Sequence, residues 1–133
     1  MTNKIIYCCH CKTNVNGRKI RGAEIYPHRE DLHLKKFCIC DVCKNFVGCH
    51  QGSGNPFGVI PTKQFKQIRM DIHNLIDPLW KPFSSKRRNA VYKAMKNLMK
   101  LKVEYHTANL KTIEEHTLAL NCARYLSKNF KPY

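Results

Sequence analysis

Two short cysteine pairs carry the most legible chemistry in this sequence. Cys8-Cys9-His10-Cys11 and Cys40-Asp41-Val42-Cys43 each place two thiols at C-x2-C spacing. Such a turn lets two thiolates point at one ion while backbone N–H groups approach the sulfurs, and two such knuckles complete a tetrahedral four-cysteine zinc site. Cys8, Cys11, Cys40 and Cys43 are therefore the expected ligands of one Zn2+. The ion is expected to be structural, because four thiolates leave no open position for water or substrate. A module this small also needs it, since structural zinc contributes on the order of 10 kcal/mol to folding.

The other cysteines and the histidines give weaker signals. Cys9 and Cys38 form C-x-C pairs beside the knuckles and could replace a neighbouring ligand, although a small buried hydrophobe is the more ordinary role. Cys122 falls on an amphipathic helical pattern and is expected in a core. Cys49-His50, with His28 and His33, could form a second site. The plainer expectation is a strand-end thiol and a histidine bonded to the backbone.

These ligands need a scaffold. The 28 residues between Cys11 and Cys40 exceed the usual spacer of a zinc ribbon and must carry structure of their own. Asn16-Gly17 is a strong hairpin-turn signal, and Ala23-Glu24-Ile25-Tyr26 alternates as a strand does. Lys36–Cys40 approaches the second knuckle as a short strand and Phe46–Cys49 leaves it. The expected fold is α+β: an N-terminal four-cysteine zinc ribbon of short antiparallel strands, followed by about three α-helices. The turn-forming run Gln51–Pro56 separates a ribbon module, 1–58, from a basic helical part, 59–133, expected to pack on it as one compact unit.

In the helical part, Thr62 can cap a helix whose apolar stripe runs Phe65, Ile68, Ile72, Leu75, Ile76 and Leu79, with Pro78 as the stop. Trp80 sits in the connector Asp77–Pro82 and is expected as a plug between helices, with a base-stacking platform as the alternative. Ser84 or Ser85 caps a second helix with Val91, Ala94, Met95, Leu98, Met99 and Leu101 inward. Thr112-Ile113-Glu114-Glu115 is a capping box that opens a third helix through about Lys128, with Leu118, Cys122, Tyr125 and Leu126 inward.

Charge is as uneven as the cysteines. The 133 residues hold 24 Lys+Arg against 9 Asp+Glu, for a formal net charge of +15. Residues 61–133 alone hold 15 basic and 5 acidic residues, and no acid lies between Asp77 and Glu104. A solvated helix normally interleaves acids at i,i+4, so the second helix repels itself unless a polyanion is present. Lys63, Lys66, Arg69, Lys86, Arg87, Arg88, Lys93, Lys96 and Lys100 are thus expected to contact nucleic acid, mostly through phosphates and without base-specific readout. No run approaches the roughly 18 apolar residues of a membrane helix. With no apolar stretch behind Met1-Thr2-Asn3-Lys4 and thiols in tight clusters, a reducing cytoplasm is expected rather than secretion as a disulfide scaffold.

One combination goes beyond spacing: Cys8-x2-Cys11, Ile25-Tyr26-Pro27-His28-Arg29, Phe37-x2-Cys40-x2-Cys43, Val47-Gly48-Cys49-His50, Pro56-x-Gly58 and Asp77-Pro78-Leu79-Trp80-Lys81. It resembles the zinc-finger-containing domain family of small proteins, found mostly in bacteriophages and prophages. The likeness covers nearly the whole chain, including Tyr105-His106. It implies zinc on the same four cysteines. The family usually has an aromatic residue at Cys38 and a non-cysteine at Cys9, which implies that neither is a ligand. Recurrence at His28, Cys49, His50, Arg69, His73, Asp77 and Trp80 implies a shared functional surface. A phage-type protein would work in the cytoplasm of a bacterial host.

Three functions compete on this basis. The leading expectation is a zinc-stabilised nucleic-acid-binding accessory protein without turnover. A second is a protein that binds and modulates an acidic host factor, such as a polymerase or a defence protein. A third is a metal-dependent nuclease using His50, His73 and Asp77; His73 and Asp77 share a helix face at i,i+4.

Overall fold

The computed structural model describes residues 3–131. The chain divides into two units, with the boundary between Lys63 and Gln64.

The first unit is a four-stranded antiparallel sheet in the order β1-β2-β3-β4, formed by β1 (Asn3–Cys8), β2 (Thr13–Arg21), β3 (Lys36–Cys40) and β4 (Phe46–Gly48). Pairing of Ile6 with Val15, Gly17 with Cys40 and Cys38 with Val47 puts these residues on one face, because side chains alternate along a strand. Ile6, Cys8, Val15, Cys38, Cys40, Val47, Cys49 and Ile60 form the core there. Half of that cluster is cysteine, so it has little aliphatic bulk to hold the sheet unaided. Ile60 closes the edge of the sheet: its N–H donates to the Tyr7 carbonyl at 2.9 Å and its carbonyl accepts from Cys9 N–H at 2.8 Å. On the opposite face Phe37 and Phe46 meet Tyr26, with ring centroids 5.7 to 5.9 Å apart.

Two local expectations are corrected. Asn16-Gly17 is not a turn but lies inside β2. The hairpin turn between β1 and β2 is the first knuckle itself, so a second reversal at residue 16 has no room. Gly17 serves close packing instead: a Cβ there would stand 2.6 Å from Cys38 Sγ and 2.7 Å from Ile6 Cγ2. Nor is Ala23–Tyr26 a strand. Gly22–Ile25 forms one helical turn, α1, closed by Tyr26 N–H on the Gly22 carbonyl at 2.7 Å. The chain must leave β2 at this point and return to β3, and Gly22 fits because a side chain there would run into the Leu32 carbonyl.

The second unit is helical. Helix α2 (Lys63–Ile76) opens it and passes into a 3-10 turn at Asp77–Leu79; α3 (Ser85–Met99) and α4 (Ile113–Asn129) follow. Ser84 caps α3, its hydroxyl accepting from Arg87 N–H. Thr112 and Glu115 form the capping box of α4. Ile72, Ile76, Val91, Met95, Met99, Tyr105, Leu110, Ala119, Cys122, Ala123 and Leu126 form the core.

Three expected core residues are exposed: Leu98, Leu118 and Tyr125. On α4 the buried arc is His116, Ala119, Cys122, Ala123 and Leu126. With the small Ala119 and Ala123 fully buried in that arc, the larger Leu118 and Tyr125 fall outside it.

Candidate metal centre and the basic helix

Each knuckle is built the same way. Lys12 N–H donates to the Cys8 carbonyl at 2.8 Å, and Lys44 N–H to the Cys40 carbonyl at 3.0 Å. Both lysines are left-handed, with φ of 58° and 66°, a conformation costing a residue with a Cβ about 1–2 kcal/mol. The turn is thereby reversed tightly enough to bring the second thiol of each pair back beside the first. Asn45 Nδ2 donates to Cys43 Sγ at 3.3 Å, and Val42 N–H to Cys40 Sγ at 3.4 Å.

The four sulfurs of Cys8, Cys11, Cys40 and Cys43 all lie within 4.8 Å of one another. Cys8 and Cys43 are 3.5 Å apart, and Cys11 and Cys40 are 3.8 Å apart. Zn–S bonds of about 2.3 Å in a tetrahedron require sulfurs about 3.8 Å apart, so the donor set fits one zinc ion in chemistry and in size. Among the described residues it is the one cluster of three or more potential ligands.

Crowding four thiols is unfavourable without a cation. Burial, followed by the neighbouring thiols of Cys40, Cys8 and Cys43, pushes Cys11 up to about 12. Burial also raises Cys8. At Cys40 burial acts upward, but N–H donors from Cys43 and Val42 help to outweigh it and hold the thiol below its ordinary value. These donors are arranged for thiolate sulfur, and a divalent cation supplies the charge that makes the thiolates stable.

A ribbon sheet with two facing knuckles and a four-thiolate centre defines a structural zinc-finger protein, stabilised by one structural zinc. The chain belongs to the zinc-finger-containing domain family, whose model matches residues 4–123. No curated protein and no solved structure matches the chain.

The remaining thiols stand outside the centre. Cys9, Cys38, Cys49 and Cys122 are buried and form no disulfide among the described residues. Burial, then the nearby Cys49 thiol, pushes Cys38 up to about 11. Burial also raises Cys49 and Cys122. Such thiols are poor nucleophiles and behave as small hydrophobes.

The other sequence-predicted residues are distributed as follows. His28 is exposed, and His33 Nε2 lies 3.0 Å from the Pro27 carbonyl. Cys49 N–H donates to the Lys36 carbonyl, and His50 is exposed with its ring edge-on to Phe57 at 4.4 Å. His73 Nδ1 lies 3.2 Å from Asp77 Oδ1, while Lys81 Nζ lies 3.4 Å from Asp77 Oδ2. Both Asp77 oxygens therefore have partners four residues away, one on α2 and one just past the 3-10 turn. Trp80 packs on the helical core, and its indole N–H is buried without a hydrogen-bond partner among the described residues.

Among the expected phosphate contacts, Lys63, Lys86, Lys93 and Lys100 are exposed; Lys66, Arg87, Arg88 and Lys96 are half-buried. Lys96 pairs with Glu104 at 3.2 Å. Arg69 is the exception and corrects the expectation: it is only 8% exposed. Its Nε donates to His116 Nε2 at 3.2 Å and its Nη2 to the Leu110 carbonyl at 2.7 Å. Lys63, Lys66 and Arg69 do share one flank by spacing, but that flank rotates inward at Arg69.

His116 was not legible as a functional or structural residue, and it organises this buried network. Its Nδ1 lies 2.7 Å from the Thr112 carbonyl, so that nitrogen carries the proton and Nε2 accepts from Arg69. Phe65 stacks on its ring at 4.0 Å. Burial, then the Arg69 charge, lowers its pKa. A polar residue in the apolar arc of a capped helix was the available signal. Lys12 and Lys44 were also missed; their matching positions, one residue after each C-x2-C, were the clue.

Proposed function

We propose that the protein is a zinc-stabilised, nucleic-acid-binding accessory protein that makes largely sequence-independent phosphate contacts and has no catalytic turnover. The observation that carries this reading is the charge on and beside α3. Lys86, Arg87, Arg88, Lys93 and Lys100 have no carboxylate partner among the described residues, and the sequence places no acid between Asp77 and Glu104. Cations in the first turn of a helix also oppose its dipole. A phosphate chain offsets both penalties by neutralising the cations and releasing counterions. The resemblance to phage proteins agrees with a role on a genome or transcript inside a bacterial host.

The four-thiolate centre supports a structural metal rather than a catalytic one, as a saturated thiolate shell offers no site for water. The pairing of His73 and Lys81 with Asp77 supports a helix-end clamp in preference to a nuclease centre.

The test is a triple charge reversal, Lys86→Glu, Lys93→Glu and Lys100→Glu. Affinity for a DNA or RNA oligonucleotide is expected to fall by at least 100-fold, with zinc content and helicity retained. Undiminished binding would refute the reading. In a pull-down, a partner that survives nuclease treatment would favour an acidic protein instead.

A further inference from the structure

We propose that the corner ahead of α3 is a stacking site for an unpaired base, so that the protein takes single-stranded nucleic acid in preference to duplex. The proposal rests on the nucleic-acid reading above and names the form of polymer that the basic helix meets.

The corner is built around Phe83, which is 58% exposed. Its aromatic neighbours do not share that exposure: Trp80, Tyr92 and Phe130 all pack on the helical core, and Phe83 does not. Pro82, Ser84 and Ser85 beside it are exposed as well, so the ring stands out from a polar, basic surface.

The ring is also held by a charged side chain. The Arg87 guanidinium carbon lies 3.8 Å from its centroid, within the range of a cation–π contact. Arg87 Nε donates to the Leu79 carbonyl at 2.8 Å, which fixes the guanidinium in place. Arg88 is held similarly, 4.2 Å from the Tyr92 centroid and 5.4 Å from that of Trp80. Two guanidiniums are thus immobilised on aromatic rings before any ligand arrives, and Lys86 adds an exposed cation beside them. Neither arginine meets a carboxylate among the described residues.

This arrangement suits one chemistry. With Arg87 against one face of Phe83 and more than half of the residue still exposed, the proposed site leaves ring surface for a flat π-system. A nucleobase supplies that face, and its phosphates fall within reach of the prefixed arginines and Lys86. Ordering cost is low because the arginines are already held. In a duplex the base faces are already stacked on one another, so a base must be unstacked first. A single strand offers them freely. An acidic peptide would satisfy the cations but leave the phenyl ring exposed.

The test is fluorescence anisotropy at about 100 mM salt, where phosphate contacts remain measurable. The ligands are labelled DNA and RNA strands of about 20 nucleotides, long enough for one stacking groove, and a duplex of the same DNA sequence. The wild type is expected to bind the strands more tightly than the duplex. Phe83→Ala is expected to weaken strand binding by about 5- to 100-fold and leave duplex binding unchanged. Phe83→Leu, which keeps bulk without a π face, should match Ala, and Phe83→Trp should restore affinity. Equal loss on strands and duplex, or no loss on either, overturns the stacking site. If the wild type binds neither polymer, the underlying nucleic-acid reading fails instead. Unaltered circular dichroism of each variant keeps the comparison valid.

Discussion

The sulfurs of Cys8, Cys11, Cys40 and Cys43 converge, whereas those of Cys9, Cys38, Cys49 and Cys122 are enclosed elsewhere in the two units. The difference follows from backbone direction: the left-handed Lys12 and Lys44 turn each knuckle back on itself. Cys43→Ser is therefore expected to abolish the stoichiometric zinc and unfold the ribbon, since the site supplies on the order of 10 kcal/mol. Cys9→Ala should keep one zinc per chain, as counted by elemental analysis. His116 gives a second prediction at this scale. Its folded pKa lies below the ordinary 6.5, so the unfolded chain binds more protons between those two values. Stability is then complete above pH 6.5 and declines as pH falls below it toward the folded value. Urea unfolding of the wild type from about pH 7.5 to 5 should show that decline, and His116→Gln should flatten it.

At the scale of elements, caps and turns decide where the helices stand. Lys100 ends α3 in the left-handed conformation, φ 57° and ψ 43°, with its N–H on the Lys96 and Asn97 carbonyls. Glycine adopts that geometry without the strain of about 1–2 kcal/mol but loses about 0.5–1 kcal/mol more backbone entropy on folding. Lys100→Gly is therefore expected to raise stability by about 0.5–1 kcal/mol, read as a higher urea midpoint. The cap of α3 at Ser84 and the capping box of α4 were legible in the sequence, because caps are local hydrogen-bond patterns. So were the four zinc ligands, because C-x2-C spacing is itself the geometry. Asn16-Gly17 and Ala23–Tyr26 misled for the opposite reason. At Asn16-Gly17 the knuckle had already taken the turn, and the close packing of Gly17 on Cys38 and Ile6 and of Gly22 on the Leu32 carbonyl are contacts between segments distant in sequence. The inward rotation of Arg69 and the outward position of Leu118 and Tyr125 likewise depend on which helices meet. Side-chain hydrophobicity does not encode that.

At the scale of the whole chain, two units have separate means of stability. The ribbon's core is small and half cysteine, while the helical unit has its own cluster of eleven buried residues. Chelating the zinc is expected to remove the ribbon's sheet while the ellipticity of α2, α3 and α4 persists, as followed by circular dichroism. The charge is partitioned in the same way, with most of the excess beyond residue 60. The zinc centre explains how a cysteine-rich segment folds, and the cations at α3 that lack a carboxylate among the described residues are what the proposed phosphate binding rests on.

The central claim is that those cations bind phosphates, and a salt titration of oligonucleotide affinity tests it most directly. Five cations without a carboxylate partner among the described residues predict that log K for duplex DNA falls with log salt at a slope of about −4 to −5. The slope should become shallower by about one for each of Lys86, Lys93 and Lys100 replaced by alanine. An affinity that stays constant between about 50 and 300 mM salt would contradict the account, because phosphate contacts cannot form without releasing counterions.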